Sequence, residues 1–382
     1  MIKIKFENLL VSIVVSVVVF FNTISTTMLD RTFFQVKVNF LFLVVLLLGL
    51  RFLYKMRVSY KYLILSILLL LSGVLVYFQT NRLNFLVYSM LLVLLVNVDM
   101  KVVLRNYVVV AGILVVGVFL LSLVGIVPNL QYNRAGVIRN SFGFIYPTDF
   151  ASHCFYLFLA ISYLLKDKFI WTRSLFGVLL SAFIIKYCDA RLNALSILLA
   201  TVIFIYFYYS NGKKLKIFAL LPYSAVVFAS VVTYLSYKFS WSNPFLVSVN
   251  KLITGRLALG RNAFDTFGVH LFGTRNVQFI GSGGKTESVI GYNYVDSSYV
   301  QMLFTYGIVP VVLLIIIYVV ASRKQYKDGQ YLLVAILSLI AFNCMIEAFW
   351  FVPTYNIFMF LLFTTNTFSE KESNDSVTLN IT

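Results

Sequence analysis

Residues 60–78, YKYLILSILLLLSGVLVYF, hold one charged side chain, Lys61, at their edge and are otherwise almost wholly apolar. At 1.5 Å per residue, a helix of this length matches a hydrocarbon layer about 30 Å thick. Comparable runs recur at about 8–27, 36–53, 83–98, 107–127, 144–165, 169–187, 192–209, 215–236, 298–321, 330–348 and 351–367. With about 20 residues each, these segments predict an all-α polytopic membrane protein of about twelve transmembrane helices. Residues 1–368 form one transmembrane domain in this reading, and the polar stretch 369–382 forms a cytoplasmic tail.

Composition points the same way. The 382 residues are 60% hydrophobic and 12% charged, with a mean hydropathy of +0.91; soluble domains run at about 45–50% and about 25%. Soluble globular, disordered, fibrous and disulfide-scaffold classes are excluded together. Cys154, Cys188 and Cys344 all lie in or at the end of apolar runs, so neither a disulfide framework nor a cysteine metal site is implied.

A net charge of +17 suggests nucleic acid in a soluble protein, but in a polytopic one it first reflects Lys and Arg gathered in cytoplasmic loops. With the N-terminus inside, 18 of the 31 basic residues fall on the cytoplasmic side: Lys3, Lys5, Arg51, Lys55, Arg57, Lys61, Lys101, Arg105, Lys166, Lys168, Arg173, Lys213, Lys214, Lys216, Arg323, Lys324, Lys327 and Lys371. Both termini are therefore expected inside, and no nucleic-acid partner is expected. Lys3 and Lys5 precede an apolar run without a small-residue cleavage site, so the first helix is expected to be retained.

Two external segments stand out, 128–143 and the long loop 237–297 between the ninth and tenth spans. In the second, Leu252, Leu257, Leu259, Phe264, Phe267 and Leu271 recur at near-helical spacing and predict one or two helices over a cavity or on the outer membrane surface. A loop of this length in a compact protein is usually functional.

No HExxH and no DxD pair occur, so no metal, cofactor or nucleotide sugar is expected. Gly281–Thr286 resembles a P-loop, but Phe279 stands where its first glycine belongs, and a glycine-rich turn is the preferred reading.

Ionisable residues near span ends carry more information. Asp149 and His153 share one helix face at the outer end of the sixth span; Lys186, Asp189 and Arg191 bracket the hairpin between the seventh and eighth; Arg139, Asp296 and Glu347 lie beside other outer ends. At 1.5 Å per residue, all lie within roughly 10 Å of the outer boundary. Coupled transporters tend to place such groups near the midplane, whereas an enzyme acting on a lipid-linked headgroup places them at the interface. Snorkelling side chains also gather at helix ends. The long loop adds Lys238, Lys251, Arg256, Arg261, His270, Arg275 and Lys285 against Asp265, Glu287 and Asp296; this basic surface suits a phosphate ligand or anionic lipid headgroups. Tyr292, Tyr294, Tyr299 and Trp241 offer faces for sugars, or form an interfacial aromatic belt.

Four stretches resemble the Wzy-type polysaccharide polymerases and the related O-antigen ligases. They are Arg139 followed by SFGFIYPTDFA (141–151), DARLNALSILLA (189–200), LITGRLALGRNAF (252–264) with LFG (271–273), and YVDSSYVQMLFTYGIVP (294–310). The resemblance implies a metal-independent glycosyltransferase of O-antigen, capsule or exopolysaccharide synthesis, at the outer face of the cytoplasmic membrane. It moves a growing glycan from undecaprenyl diphosphate onto an incoming lipid-linked repeat unit. Implied partners are that lipid-linked oligosaccharide, membrane lipids, a chain-length regulator and a flippase.

By the same resemblance, Arg191 and Arg256 grip the diphosphate, and Arg139 and Arg261 assist. Asp296 is the first choice for general base, His270 the second and Glu287 the third. The ligases tend to have His where this chain has Asp296, and Asn where it has Ser297. Asp149, Tyr299 and Glu347 are expected to contact substrate. Two alternatives stand beside this reading: a flippase or transporter for lipid-linked oligosaccharide, which predicts a charged passage through the membrane and no long loop, and a glycan ligase of the same superfamily.

Overall fold

A computed structural model describes residues 6–30, 40–53, 60–134, 136–210, 215–287 and 289–365. The expectations placed on Lys3, Lys5, Lys55, Arg57, Lys213, Lys214, Lys371 and the 369–382 tail lie outside the described residues.

The chain is a helical bundle: α1 (Phe6–Ile24), α2 (Phe40–Leu53), α3 (Tyr60–Thr80), α4 (Asn84–Leu94), α5 (Met100–Leu123), α6 (Pro147–Leu164), α7 (Ile170–Cys188), α8 (Arg191–Tyr209), α9 (Ser224–Lys238), α10 (Pro244–Leu252), α11 (Arg256–Phe267), α12 (Ser298–Thr305), α13 (Ile308–Lys327), α14 (Tyr331–Asn343) and α15 (Ile357–Phe360). Among the described residues, six helical segments are long and apolar enough to cross a membrane: Tyr60–Thr80, Met100–Leu123, Ile170–Cys188, Arg191–Tyr209, Lys216–Lys238 and Ile308–Lys327. Their outward faces carry exposed Ile64, Ile113, Leu179, Val202 and Val227, the pattern of a bundle solvated by lipid.

The mostly helical structure agrees with the all-α reading, and the external segment 128–143 adds one short hairpin, β1 (Gln131–Arg134) and β2 (Val137–Asn140), paired antiparallel with Tyr132 opposite Arg139 and Arg134 opposite Val137. Two sequence expectations need correction. The tenth apolar run is broken into α12 and α13 at Gly307, whose φ is +94°. A Cβ there would sit 2.3 Å from the Gly273 nitrogen, because the 270–273 turn packs against the break. His270 and Leu271 carbonyls accept the first helical N–H groups of α13, from Ile308 and Val309, at 3.0 Å each. Two of the resemblance stretches, LFG and TYGIVP, thus meet in space.

The twelfth run, 351–367, forms only the four-residue helix α15, although its described side chains to Thr364 are nearly all buried. Irregular backbone at such depth must satisfy its polar groups within the protein. Tyr107 donates its hydroxyl to the Thr354 and Tyr355 carbonyls at 3.2 and 3.0 Å, and Asn356 Nδ2 donates to the Trp350 carbonyl at 2.7 Å. The segment starts beside Glu347 and ends with the Thr365 N–H donating to the Val98 carbonyl at 2.8 Å, next to the start of α5.

α6 is the centre of the bundle. Pro147 opens it at a position where no amide donor is needed, and nearly every side chain from Pro147 to Tyr163 is buried. It packs on α5, α7 and α8. The charged residues discussed below converge at its N-terminal end.

Candidate functional site: a charged cavity at the head of α6

A cavity of about 300 Å³ opens over the first turn of α6. Five segments build it: the β-hairpin (Tyr132, Arg134, Arg139), the head of α6 (Tyr146 to Asp149), the head of α11 (Thr254, Arg256, Leu259), the loop before α12 (Gly281, Ser282, Tyr292, Tyr294, Asp296), and residues 347–349 after α14. Three guanidinium groups and three carboxylates thus line one space.

Local structure explains how they arrive. Side chains alternate faces along a strand, so Tyr132 and Arg134 point to the same side, and the register adds Arg139 opposite Tyr132. Arg139 is fastened by Nε donating to the Cys188 carbonyl at 2.9 Å. Thr254 and Gly255 both take left-handed backbone conformations (φ 57° and 88°) directly before Arg256, turning the chain sharply into α11. Arg256 Nε donates to the Ile346 carbonyl at 3.1 Å and lies 3.2 Å from Asp296 Oδ2. Tyr146 Oη accepts the Gly283 N–H at 2.7 Å, so the glycine-rich segment roofs the cavity. That segment is a turn closed by the Lys285 N–H donating to the Ser282 carbonyl at 2.8 Å, in keeping with the turn reading.

The formal charges of the lining balance, but Arg139 stands apart from the carboxylates. Burial, and then the nearby Arg134 guanidinium, lower the pKa of Arg139 from its ordinary value. Among the described residues, no carboxylate lies within 4.0 Å of it. Burial pushes the Asp296 carboxyl above the usual carboxylate range, while Arg256 and Arg139 pull it back; its side chain is 27% exposed, towards the cavity. Glu347 Oε1 accepts from Asn193 Nδ2 at 3.4 Å, and Asn193 in turn donates to Ser152 Oγ at 3.2 Å, a buried polar set under the cavity floor. The head of α6 adds the positive end of a helix dipole. Among the described residues, no group of three His, Cys, Asp or Glu is placed to hold a metal ion.

Of the residues singled out in the sequence, Arg139, Arg256, Asp149, Asp296 and Glu347 meet in this cavity, with Tyr292 and Tyr294. Five other candidate site residues do not line it. Arg191 is 70% exposed and bonds Asp189 at 2.8 Å; Asp189 also binds Arg134. Burial raises the Asp189 carboxyl, but hydrogen bonds from Arg191 and Arg134 outweigh that and hold it below its ordinary range. Arg261 pairs with Asp265 at 2.8 Å on the outer face of α11. His270 is exposed, with its backbone capping α13. Tyr299 is buried and donates to the Ala341 carbonyl at 2.9 Å, its ring tilted against that of Trp350. Glu287, third among the candidate bases, is exposed on the loop.

Sequence reasoning missed Arg134, Tyr132 and Tyr146. The alternation Tyr132-x-Arg134 on one side of Gly136 and Arg139 on the other was the available signal. No family model matches the chain, and no curated protein or solved structure does so either.

Proposed function

We propose that the chain is a glycosyltransferase of the cytoplasmic membrane that polymerises polyprenyl-diphosphate-linked oligosaccharide at the outer membrane face. One observation carries this reading: Arg134, Arg139 and Arg256 line a single enclosed space with Asp149, Asp296 and Glu347, at the end of the bundle that bears the long loop. In the proposed topology the chain passes twelve times with both ends cytoplasmic. In support, the described basic residues assigned to the inner side, such as Lys61, Arg323 and Lys324, cluster at the opposite end, where Lys324 lies over the Tyr62 ring.

In the proposed reaction, a hydroxyl of the acceptor repeat unit attacks the anomeric carbon of the growing glycan. The bond from that carbon to the diphosphate oxygen breaks, and its electron pair leaves with the lipid diphosphate. The hydroxyl proton passes to Asp296. Arginine forks match phosphate oxygens bidentately, and fixed donors in a water-poor site stabilise developing charge by about 2.7–4 kcal/mol each. Arg256 lies 3.2 Å from Asp296; a bound diphosphate competes for that guanidinium and frees the carboxylate to act as base. A single displacement inverts the anomeric centre.

A deletion strain tests the reading. Accumulation of single-repeat glycan, restored to polymer by the wild-type chain, is the expected result. Complete loss of surface glycan with intermediates trapped inside indicates a flippase instead.

A further inference from the structure

At the end of the bundle opposite the charged cavity, a recess of about 630 Å³ lies between the first turn of α3 and the last turns of α13. Lys61, Arg323, Lys324 and Lys327 line it with Tyr62 and Asn97, against one carboxylate, Asp328. Among the described residues, none of the four cations has a carboxylate within 4.0 Å. Lys324 Nζ lies 5.4 Å over the Tyr62 ring, and Arg323 lies 5.7 Å over that of Tyr223.

The helix dipole accounts for part of this arrangement. Lys324 and Lys327 occupy the last turn of α13, where cations are favoured. Lys61 stands in the first turn of α3, which holds no acidic residue and where a cation is disfavoured. Its place there, beside three further cations, makes the recess a site suited to an anion. Apolar side chains continue from the recess along both helices, with Leu63 and Ile64 exposed on α3 and Ile316 and Val320 on α13. A phosphate in the recess joined to acyl chains on that seam satisfies both surfaces, which a free phosphate does not.

We propose that this recess binds the headgroup of an anionic phospholipid, whose acyl chains lie along α3 and α13. The site is separate from the charged cavity and does not depend on the reaction assigned to it.

The test uses purified full-length protein in neutral detergent, titrated with phosphatidylglycerol, phosphatidylcholine or inorganic pyrophosphate and read by native mass spectrometry. Wild type is expected to retain phosphatidylglycerol and not phosphatidylcholine. Each basic side chain at an anionic headgroup contributes about fivefold in affinity, so Lys61→Gln/Arg323→Gln/Lys327→Gln should weaken retention by about a hundredfold. Removing three charges elsewhere at the same end, Arg105→Gln/Lys168→Gln/Lys216→Gln, should change it less than about threefold. Equal losses in the two triple variants would overturn the site. So would pyrophosphate binding that the first variant abolishes while phosphatidylglycerol retention is unchanged, since the recess would then serve a soluble phosphate.

Discussion

Arg256 Nε and Asp296 Oδ2 lie 3.2 Å apart across the cavity, joining the head of α11 to the loop before α12. The pair couples the group assigned to the leaving diphosphate with the group assigned to the attacking hydroxyl. Substituting one therefore changes the other, and double variants at these positions should be strongly non-additive.

Arg139 and Arg191 should separate cleanly. Arg139 lines the cavity with no carboxylate within 4.0 Å among the described residues, so Arg139→Ala should lower turnover about 100-fold or more, the cost of one charge-stabilising donor. Arg191 makes an exposed ion pair of the kind worth about 0–1 kcal/mol, and Arg191→Ala should keep activity within about threefold. Polymer length and yield at matched protein levels check both.

The pH profile should report Asp296. A base must be ionised to act, and burial places this carboxyl above the usual range, so activity falls as pH drops, on an acid limb above that of an ordinary aspartate. Arg256 pulls that value down. In Arg256→Gln the residual activity should therefore show its acid limb at higher pH, and Asp296→Asn should abolish the limb with the turnover. Initial rates between about pH 4 and 9 measure this.

Two tyrosines should differ in kind. Tyr299→Phe removes a buried hydrogen bond to the Ala341 carbonyl and should cost about 1–3 kcal/mol of stability, with KM unchanged. Tyr292 lines the cavity, so Tyr292→Ala should raise KM with little change in melting temperature. Thermal melts in detergent beside substrate titrations distinguish the two.

Helix packing offers a further check. A Cβ on Gly177 in α7 would lie 2.3 Å from Thr201 Oγ1 of α8 and 2.8 Å from Phe158 of α6, the close small-residue contact on which membrane helices rely. Gly177→Leu should lose folded protein in the membrane, measured by detergent-resistant monodisperse yield, whereas Gly112→Leu, with open space around it, should not.

Much of the fold was legible because the lipid phase demands long apolar segments, as in α3, α5 and α13. The errors came where protein rather than lipid surrounds the chain. Residues 351–364 are apolar enough for a span, but Tyr107 and Asn356 satisfy their backbone and Pro353 interrupts them. The run containing Gly307 bends because the 270–273 turn takes the place of a helical neighbour. In the site, Asp149, Asp296 and Glu347 stood out as ionisable groups beside spans, a position that is costly without a role. Arg134 did not stand out, since the hairpin that aims it has only a short alternation around Gly136. Arg191 lies outside the cavity lining, paired with Asp189 two residues away.

The central claim is that Arg139 and Arg256 bind a lipid diphosphate together. Binding of a short-chain prenyl diphosphate to purified wild type and to Arg139→Ala/Arg256→Ala, with the prenyl alcohol as control, measures it directly. Saturable binding by wild type that weakens at least about 100-fold in the double variant, with the alcohol unaffected, is the predicted result. Equal diphosphate affinity in both proteins would contradict it.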